Sequence, residues 1–369
     1  MNIICSKANL LSGVQIVSKA VPNKTTMSIL ECILIEAIGS TIKLTANDME
    51  MGIETKIEGN IVKEGKIALD AKLFSEIVRK LPENDVTINV DNDFRTIITC
   101  EKSEFKIIGK SGDDFSYLPE IERIDSILVS QFTLKEIIRQ TIFSIADNEN
   151  NKLMTGELFE IIGDKLKVCS LDGHRISIRR VDLKNIYPNR KVVVPGKTLN
   201  EISKILSGDT DKDVTIFFTG KHIVFEFDNT MVVSRLIEGE YFRIDQMLSS
   251  DFETKVTINK KEFFNCIDRA TLLINEGNKK PIIIDVTDDK MELKMNSTIG
   301  SMNEEIDINK QGKDLMIGFN PKFLIDALKV IDDEVIDIYM VNPKAPCFIR
   351  DSEENYIYLV LPVNFTTVT

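Results

Sequence analysis

The hydrophobic pattern of the chain repeats three times with an offset of 125 residues. The segments KLFSEIVRKL (Lys72–Leu81), KTLNEISKIL (Lys197–Leu206) and KFLIDALKVI (Lys322–Ile331) align without a gap as ten columns. Apolar residues fill columns two or three, six and ten, a spacing that predicts an amphipathic helix in each copy. A hydrophobic run precedes each segment and predicts a strand, so we expect one strand–helix unit to occur three times.

Short runs of alternating polar and apolar residues fill the rest of each third and predict strands separated by turns. A further helix is predicted near the start of each third, around Lys7–Ala20, in FTLKEIIRQTIFSIA and within KVTINKKEFFNCIDRATLL. The pattern therefore predicts an α+β fold of three similar domains, each with two helices packed on antiparallel sheets. The predicted domain boundaries are 1–125, 126–250 and 251–369.

Composition gives each third enough apolar residues for an ordinary core, with 43% hydrophobic residues in a chain of 369. The six cysteines lie far apart and form no CxxC pair, which indicates buried free thiols in a reducing compartment and no metal site. The N-terminus MNIICSKANLL lacks the layout of a signal peptide, and no apolar run approaches membrane-spanning length. We therefore predict a cytoplasmic protein without a membrane partner.

The charge distribution is uneven. The net charge of −12 divides into −5, 0 and −7 for the three thirds, yet the repeated helices carry +2, +1 and +1. A polyanion would have to meet the surface formed by these helices, because the acidic remainder of the protein repels it.

Catalytic motifs are absent from the sequence, which has two histidines and no GxSxG, HExxH or GxGxxG. The fragments Gly109–Ser111 and Gly196–Thr198 resemble the end of a P-loop, but Glu104 and Lys191 stand where that motif requires glycine. The sequence predicts a non-enzymatic protein without a cofactor. A hydrolase with its site in the cleft between the second and third domains near His174 remains the alternative.

The basic residues of the repeated helices occupy the first and eighth columns, so both point the same way along one helix face. An acidic residue in the fifth column is placed to pair with either base, which stabilises a helix by only about 0.2–0.5 kcal/mol. One interpretation is therefore a solvated face with intrahelical ion pairs. The other is non-specific phosphate contact, which needs exposed positive charge and no base-reading residue; the threefold recurrence favours it for the set. The bases are Lys72 and Arg79, Lys197 and Lys204, and Lys322 and Lys329, with Glu76, Glu201 and Asp326 between them.

The segment SLDGHRISIR (Ser170–Arg179) places Asp-Gly between two alternating runs, which predicts a hairpin turn. The turn explains Asp172 and Gly173. It does not explain His174 and Arg175.

Five motifs in this order resemble the bacterial β sliding clamp family across the whole chain. They are TANDMEMGIE (Thr45–Glu54), LDGHRISI (Leu171–Ile178), VVVPGKTLNEI (Val192–Ile202), IGFNPKFLIDAL (Ile317–Leu328) and YLVLPVNF (Tyr358–Phe365). The resemblance implies a processivity factor for DNA replication: a head-to-tail homodimeric ring in which sheets form the wall and helices surround double-stranded DNA. It further implies that the replicative DNA polymerase, the clamp loader and repair proteins bind through linear peptide motifs.

The resemblance also implies three sets of site residues. Lys24, Lys72, Lys197 and Lys204 match DNA-binding positions, and Arg79, Lys322 and Lys329 extend this set by internal symmetry. The implied peptide pocket comprises Met154, Leu171, Gly173, His174, Arg175, Ile176, Phe242, Met247, Leu359, Leu361, Pro362, Val363 and Asn364, with His174 and Arg175 at its polar margin. Phe105, Leu272 and Leu273 match the dimer interface. The chain departs from the family in EYFRIDQ (residues 240–246) and in Thr366–Thr369, which extend beyond the usual C-terminus.

Overall fold

The computed structural model describes residues 1–116, 118–119, 121–147, 151–248, 251–274, 280–351 and 353–365. The predicted C-terminal extension, Thr366–Thr369, lies outside this part of the chain. No helix among the described residues is long and apolar enough to cross a membrane.

Each third of the chain begins with a strand and a helix, which are followed by further strands, a second helix and a last group of strands. The first contains β1 (Asn2–Ser6), α1 (Lys7–Val17), β2 (Cys32–Ile38), β3 (Thr41–Asn47), β4 (Met51–Ile57), β5 (Asn60–Lys63), β6 (Gly65–Asp70), α2 (Ala71–Lys80), β7 (Asp85–Val90), β8 (Arg95–Cys100), β9 (Ser103–Ile108) and β10 (Lys110–Ser111). The second contains β11 (Asp125–Ser130), α3 (Gln131–Thr141), β12 (Gly156–Leu171), β13 (Arg175–Pro195), α4 (Gly196–Ile205), β14 (Asp213–Phe218), β15 (His222–Phe227) and β16 (Thr230–Arg235). The third contains β17 (Thr254–Asn259), α5 (Lys260–Thr271), β18 (Ile282–Thr287), β19 (Lys290–Asn296), β20 (Ser301–Asp307), β21 (Asn309–Gly312), β22 (Leu315–Phe319), α6 (Pro321–Leu328), β23 (Val335–Met340), β24 (Cys347–Arg350) and β25 (Tyr356–Val360).

The three repeated helices are present as α2, α4 and α6. Side-chain caps begin two of them: Asp70 accepts a hydrogen bond from the Leu73 amide at 2.7 Å, and Asn320 accepts one from the Lys322 amide at 3.1 Å. The third copy is shorter than predicted, because α6 ends at Leu328 and Lys329 becomes its C-cap residue.

The chain forms two strands in the segment before α2, where the hydrophobic run predicts one. The segment Asn60–Leu69 forms β5 and β6, and the second begins at Gly65, whose φ is +153°. A side chain there would lie 2.9 Å from the Cβ of Met1. Glycine therefore allows both the backbone conformation and the close approach of the N-terminus.

The first of two compact units comprises Met1–Leu134 and Asn200–Leu236. It contains a five-stranded sheet in the order β5-β1-β7-β8-β9 and a nine-stranded sheet in the order β10-β6-β2-β3-β4-β16-β15-β14-β11. Strand β4 pairs with β16, with Ile53 opposite Val232. This pairing joins strands from the first third and the second third of the chain into one continuous sheet. Buried residues of α1 and α2, including Leu10, Val14 and Phe74, contribute to the core of this unit.

The second unit comprises Lys135–Leu199 and Ile237–Thr369. Its sheets have the orders β12-β13-β25-β24-β23-β17-β21 and β20-β19-β18-β22, and β13 pairs with β25, with Ile178 opposite Ile357. Helices α5 and α6 pack together, with Phe263, Ile267 and Leu324 in the core. Every strand pairing between described residues is antiparallel, as predicted. The division into two units follows the continuous sheets; the predicted repeat boundaries at residues 125 and 250 remain a prediction.

The six cysteines are buried and free, which confirms the predicted state of the thiols. Burial raises the pKa of Cys5, Cys266 and Cys347 to about 12. These thiols therefore contribute to the core as small apolar groups.

Candidate functional site

The second unit contains a largely apolar cavity of about 470 Å³. Ten of the thirteen predicted peptide-binding residues line it, together with Pro346, which the sequence analysis did not identify. The lining residues are Met154, Leu171, Gly173, His174, Arg175, Ile176, Phe242, Met247, Pro346, Leu359 and Leu361.

Two adjacent strand pairings bring the apolar floor of the cavity together. Leu171 of β12 lies opposite Ile176 of β13, which in turn lies opposite Leu359 of β25. All three side chains are buried, and Leu361 continues the edge by donating its amide to the His174 carbonyl at 2.8 Å. The LDGHR turn and the C-terminal strand thus form one wall although they are far apart in sequence.

The turn between β12 and β13 depends on Asp172 and Gly173. The Asp172 carboxylate accepts hydrogen bonds from the amides of His174 and Arg175 at 2.9 and 3.1 Å. Gly173 has a φ of +89°, in the left-handed region that glycine tolerates best. The Asp-Gly pair therefore sets the direction in which His174 and Arg175 leave the turn.

Another part of the cavity lining comes from irregular backbone that the hydrophobic period did not reveal. Met247 ends a short 3₁₀ turn and is half-exposed, and Phe242 lies edge-on to the buried Tyr241 ring at 5.6 Å. The Tyr241 hydroxyl lies 3.4 Å from the carbonyl oxygens of Gly156 and Cys169, to which it donates. These contacts fix Phe242 beside β12. The segment EYFRIDQ therefore contributes an apolar wall here.

Arg175 lines the cavity as a buried residue, although it was expected at the polar margin of the pocket. Its Nε donates to Asp172 at 2.9 Å, its Nη1 donates to Asp326 at 2.7 Å, and its guanidinium lies 4.4 Å from the Phe323 ring centroid. Burial opposes its charge, but the hydrogen bond to Asp326 and the other nearby groups outweigh this and raise the pKa of Arg175 above its ordinary value. His174 remains exposed and stacks on Phe323 with a centroid separation of 6.0 Å.

The predicted pocket residues Pro362, Val363 and Asn364 do not line the cavity. They belong to a segment that passes β22, where the Val363 amide donates to the Gly318 carbonyl at 2.9 Å. A side chain at Gly318 would lie 2.6 Å from the Phe365 ring. The segment is thus anchored next to the cavity and holds Leu361 at its edge.

The seven predicted DNA-binding side chains, from Lys24 to Lys329, are all exposed. Two of the helix bases form the predicted intrahelical ion pairs, Arg79 with Glu76 at 2.5 Å and Lys204 with Glu201 at 2.6 Å. Such exposed pairs contribute only about 0–1 kcal/mol, so the bases are still available to a polyanion. The structure is therefore compatible with both interpretations of the basic columns.

Apolar side chains are exposed at the predicted dimer-interface positions. Phe105 lies on β9, an edge strand of the five-stranded sheet, and is 38% exposed; Leu272, at the C-cap of α5, is 77% exposed. Leu273 is half-buried against the core of the second unit. Ile108, at the end of β9, is a further exposed apolar residue and is 82% exposed.

Metal chemistry has no support in the described part of the chain, which contains no group of three or more potential ligands. The His174 ring stacks on Phe323 beside the apolar residues of the cavity.

Comparison with known proteins decides the family. Models of the DNA polymerase III beta subunit match in succession: its N-terminal domain over residues 1–119, its central domain over 128–242 and its C-terminal domain over 245–364. The chain belongs to this family. A beta sliding clamp of Staphylococcus aureus is 35% identical over 356 residues, which cover 94% of each chain.

Solved structures agree with this assignment. A crystal structure assigned to a DNA polymerase III beta subunit of Eubacterium rectale has 71% identity and a TM-score of 0.96, covering 99% of this chain and 100% of that chain. The DNA polymerase sliding clamp of Bacillus subtilis has the same TM-score and coverage at 34% identity.

Membership confirms the main predictions from the sequence. The α+β fold of three similar domains and the role as a sliding clamp in DNA replication are those of the family. The clamp is a non-catalytic processivity factor, and the hydrolase alternative near His174 receives no support.

Proposed function

We propose that this sliding clamp closes as a head-to-tail homodimer around double-stranded DNA and captures partner peptides in the cavity beside the LDGHR turn. The observation that carries the proposal is the cavity itself, an apolar recess assembled from β12, β13 and β25. Its expected ligands are linear motifs of the replicative DNA polymerase, the clamp loader and repair proteins.

The cavity has the size and chemistry of a peptide-anchor site. A volume of about 470 Å³ lies within the range of small-ligand pockets and accommodates a few apolar side chains. Leu171, Ile176 and Leu359 supply a rigid floor, because their strands are hydrogen-bonded to one another. Filling such a recess with a partner's aromatic or aliphatic anchors concentrates binding energy in a few contacts.

DNA is held by weak and repeated phosphate contacts in this proposal. The basic residues of α2, α4 and α6 are exposed and read no base, while the rest of the chain is acidic. Non-specific contacts of this kind lose affinity steeply with salt and let a protein slide along the duplex. Topological closure then retains the clamp without tight binding.

Dimer closure joins two exposed sheet edges in this proposal. Strand β9 with Phe105 is an edge of the five-stranded sheet, and β20 is an edge of the four-stranded sheet, on the unit that also carries Leu272. Pairing such edges between subunits covers unpaired backbone groups and apolar side chains together.

Topological retention is the direct test. The clamp is loaded onto nicked circular DNA with a matching clamp loader and ATP, and the DNA is then linearised. Clamps that encircle DNA are lost from the free ends, and blocking the ends restores retention. Clamps that stay on unblocked linear DNA would overturn the ring proposal.

Peptide capture is tested separately by fluorescence titration of a polymerase-tail peptide. Deletion of residues 361–369 removes the segment that is anchored at the edge of the cavity and should abolish binding while the dimer persists. Met247→Ala, at the cavity wall, should weaken binding, whereas Ile186→Ala, which changes an exposed apolar residue outside the cavity, should not. Equal affinity in the deletion variant and the parent would refute the assignment of the pocket.

A further inference from the structure

The acidic residue in the fifth column of the repeated helix has a different kind of ion-pair partner in the third copy than in the other two. In α2 and α4 the fifth-column carboxylate pairs within the helix, Glu76 with Arg79 and Glu201 with Lys204. In α6 the equivalent Asp326 pairs instead with Arg175, 151 residues away in sequence, at 2.7 Å. The repeat therefore diverges where α6 meets the floor of the peptide cavity.

Arg175 is held from several sides by this arrangement. Asp172 and Asp326 engage Nε and Nη1, and the Phe323 ring lies 4.4 Å from the guanidinium carbon. The Tyr358 hydroxyl donates to the Phe323 carbonyl at 2.8 Å and so fixes the backbone that carries this ring. The Arg175 side chain is only 7% exposed, and the two carboxylates accept hydrogen bonds from two of its three guanidinium nitrogens.

The charges of this cluster combine to a net −1, from one guanidinium and two carboxylates. Arg175 lines the cavity, but its positive charge is already paired with two carboxylates. A ligand carboxylate placed there would therefore meet a cluster with a net negative charge. It would also be desolvated without an ionic partner, which is strongly unfavourable.

We propose that Asp326 is a specificity-determining positioning residue, which neutralises Arg175 so that the cavity accepts apolar side chains and rejects acidic ones. The inference rests on the proposed peptide capture in this cavity. Asp326 acts through Arg175 and need not touch the peptide.

The test separates charge from size by using three versions of one partner-tail peptide. The parent peptide carries a leucine anchor, and the two variant peptides carry asparagine or aspartate in its place. The dissociation constant of the aspartate peptide divided by that of the asparagine peptide measures how strongly the cavity rejects a charge, because the two side chains have nearly the same volume. This ratio should be at least about tenfold in the wild-type clamp, since a unit charge acts strongly at short range in a partly desolvated site.

Asp326→Asn is nearly isosteric and makes the cluster neutral, so the aspartate-to-asparagine ratio should fall by about tenfold. Adding Arg175→Met to this variant returns the net charge to −1 through Asp172 and should restore the wild-type ratio. Glu201→Gln alters the same column of α4 and is the matched control, with an unchanged ratio. A purely structural role for Asp326 predicts weaker binding of all peptides and no restoration in the double variant.

The outcomes distinguish the two levels of inference. Failure of the wild-type clamp to bind the parent peptide would overturn the proposed function. Normal binding of the parent peptide, with the same aspartate-to-asparagine ratio in wild type and Asp326→Asn, would overturn the role of Asp326 alone. Circular dichroism and sedimentation test whether each variant is folded and dimeric. If Asp326→Asn fails this check, the aspartate-to-asparagine ratio is measured in the double variant Arg175→Met/Asp326→Asn instead. A value below the wild-type ratio then refutes the proposal.

Discussion

Glu157 should make the stability of this clamp fall as pH rises across the neutral range. The side chain is fully buried at the start of β12, and burial raises its pKa to about 8 despite the hydrogen bond that Thr141 donates to Oε2 at 3.1 Å. The other oxygen, Oε1, has no hydrogen-bond partner within the described part of the chain. Cys169 and Tyr241, two titratable groups that interact electrostatically with Glu157, are buried as well. With a pKa of about 8, the carboxyl is therefore mostly protonated in the folded protein at pH 7.

The sign of the effect follows from proton linkage. Between pH 4.5, the ordinary pKa, and pH 8, the folded state holds a proton that the unfolded state has lost, so unfolding releases it and stability decreases with pH. One pKa unit corresponds to 1.36 kcal/mol, so the full interval amounts to about 5 kcal/mol. Below pH 4.5 the contribution is complete, and above pH 8 it is gone.

Comparison with Glu157→Gln isolates this contribution. The free energy of unfolding is measured by urea denaturation at pH 5, 6, 7 and 8 for both proteins. The difference, variant minus wild type, should rise by about 1.4 kcal/mol per pH unit. Glu58→Gln, at an exposed position, should follow the wild-type curve at every pH. Parallel curves for wild type and Glu157→Gln would show that the carboxyl does not titrate in this range.

Three further predictions concern the turn, the basic helices and the subunit interface. Gly173→Ala places a side chain at a φ of +89°. It should destabilise the turn by about 1–2 kcal/mol and weaken peptide binding. A peptide titration that matches the wild-type curve would refute the role of the turn. Lys72→Ala and Lys204→Ala should each make the negative slope of log affinity for DNA against log salt shallower by about 0.9 per lost phosphate contact. Lys63→Ala, on an exposed strand, should leave this slope unchanged, and equal slopes in all three variants would exclude helix–phosphate contact. Phe105→Asp should shift the dimer to monomer in analytical ultracentrifugation, because it places a carboxylate where apolar surface is expected to be covered; a persistent dimer would contradict the predicted interface.

The sequence determined the elements whose cause is local. The helix period of Lys72–Leu81 and its two copies identified α2, α4 and α6, since an amphipathic helix needs only the spacing of its own apolar residues. The Asp-Gly pair identified the turn before His174 for the same reason. The apolar residues of the cavity were found through the motif resemblance, because the alternation along β13 and β25 does not indicate which side chains line a recess.

Tertiary structure decided the features that join distant segments. Nothing in the sequence around Asp326 distinguishes its partner from those of Glu76 and Glu201, yet the structure pairs it with Arg175 and thereby buries a charge that was expected at the rim. The cavity wall formed by Pro346 and the pairing of β13 with β25 are of the same kind. Ion pairs and strand pairings across 100 residues or more depend on where the whole core places the backbone, and a local pattern carries no record of that position.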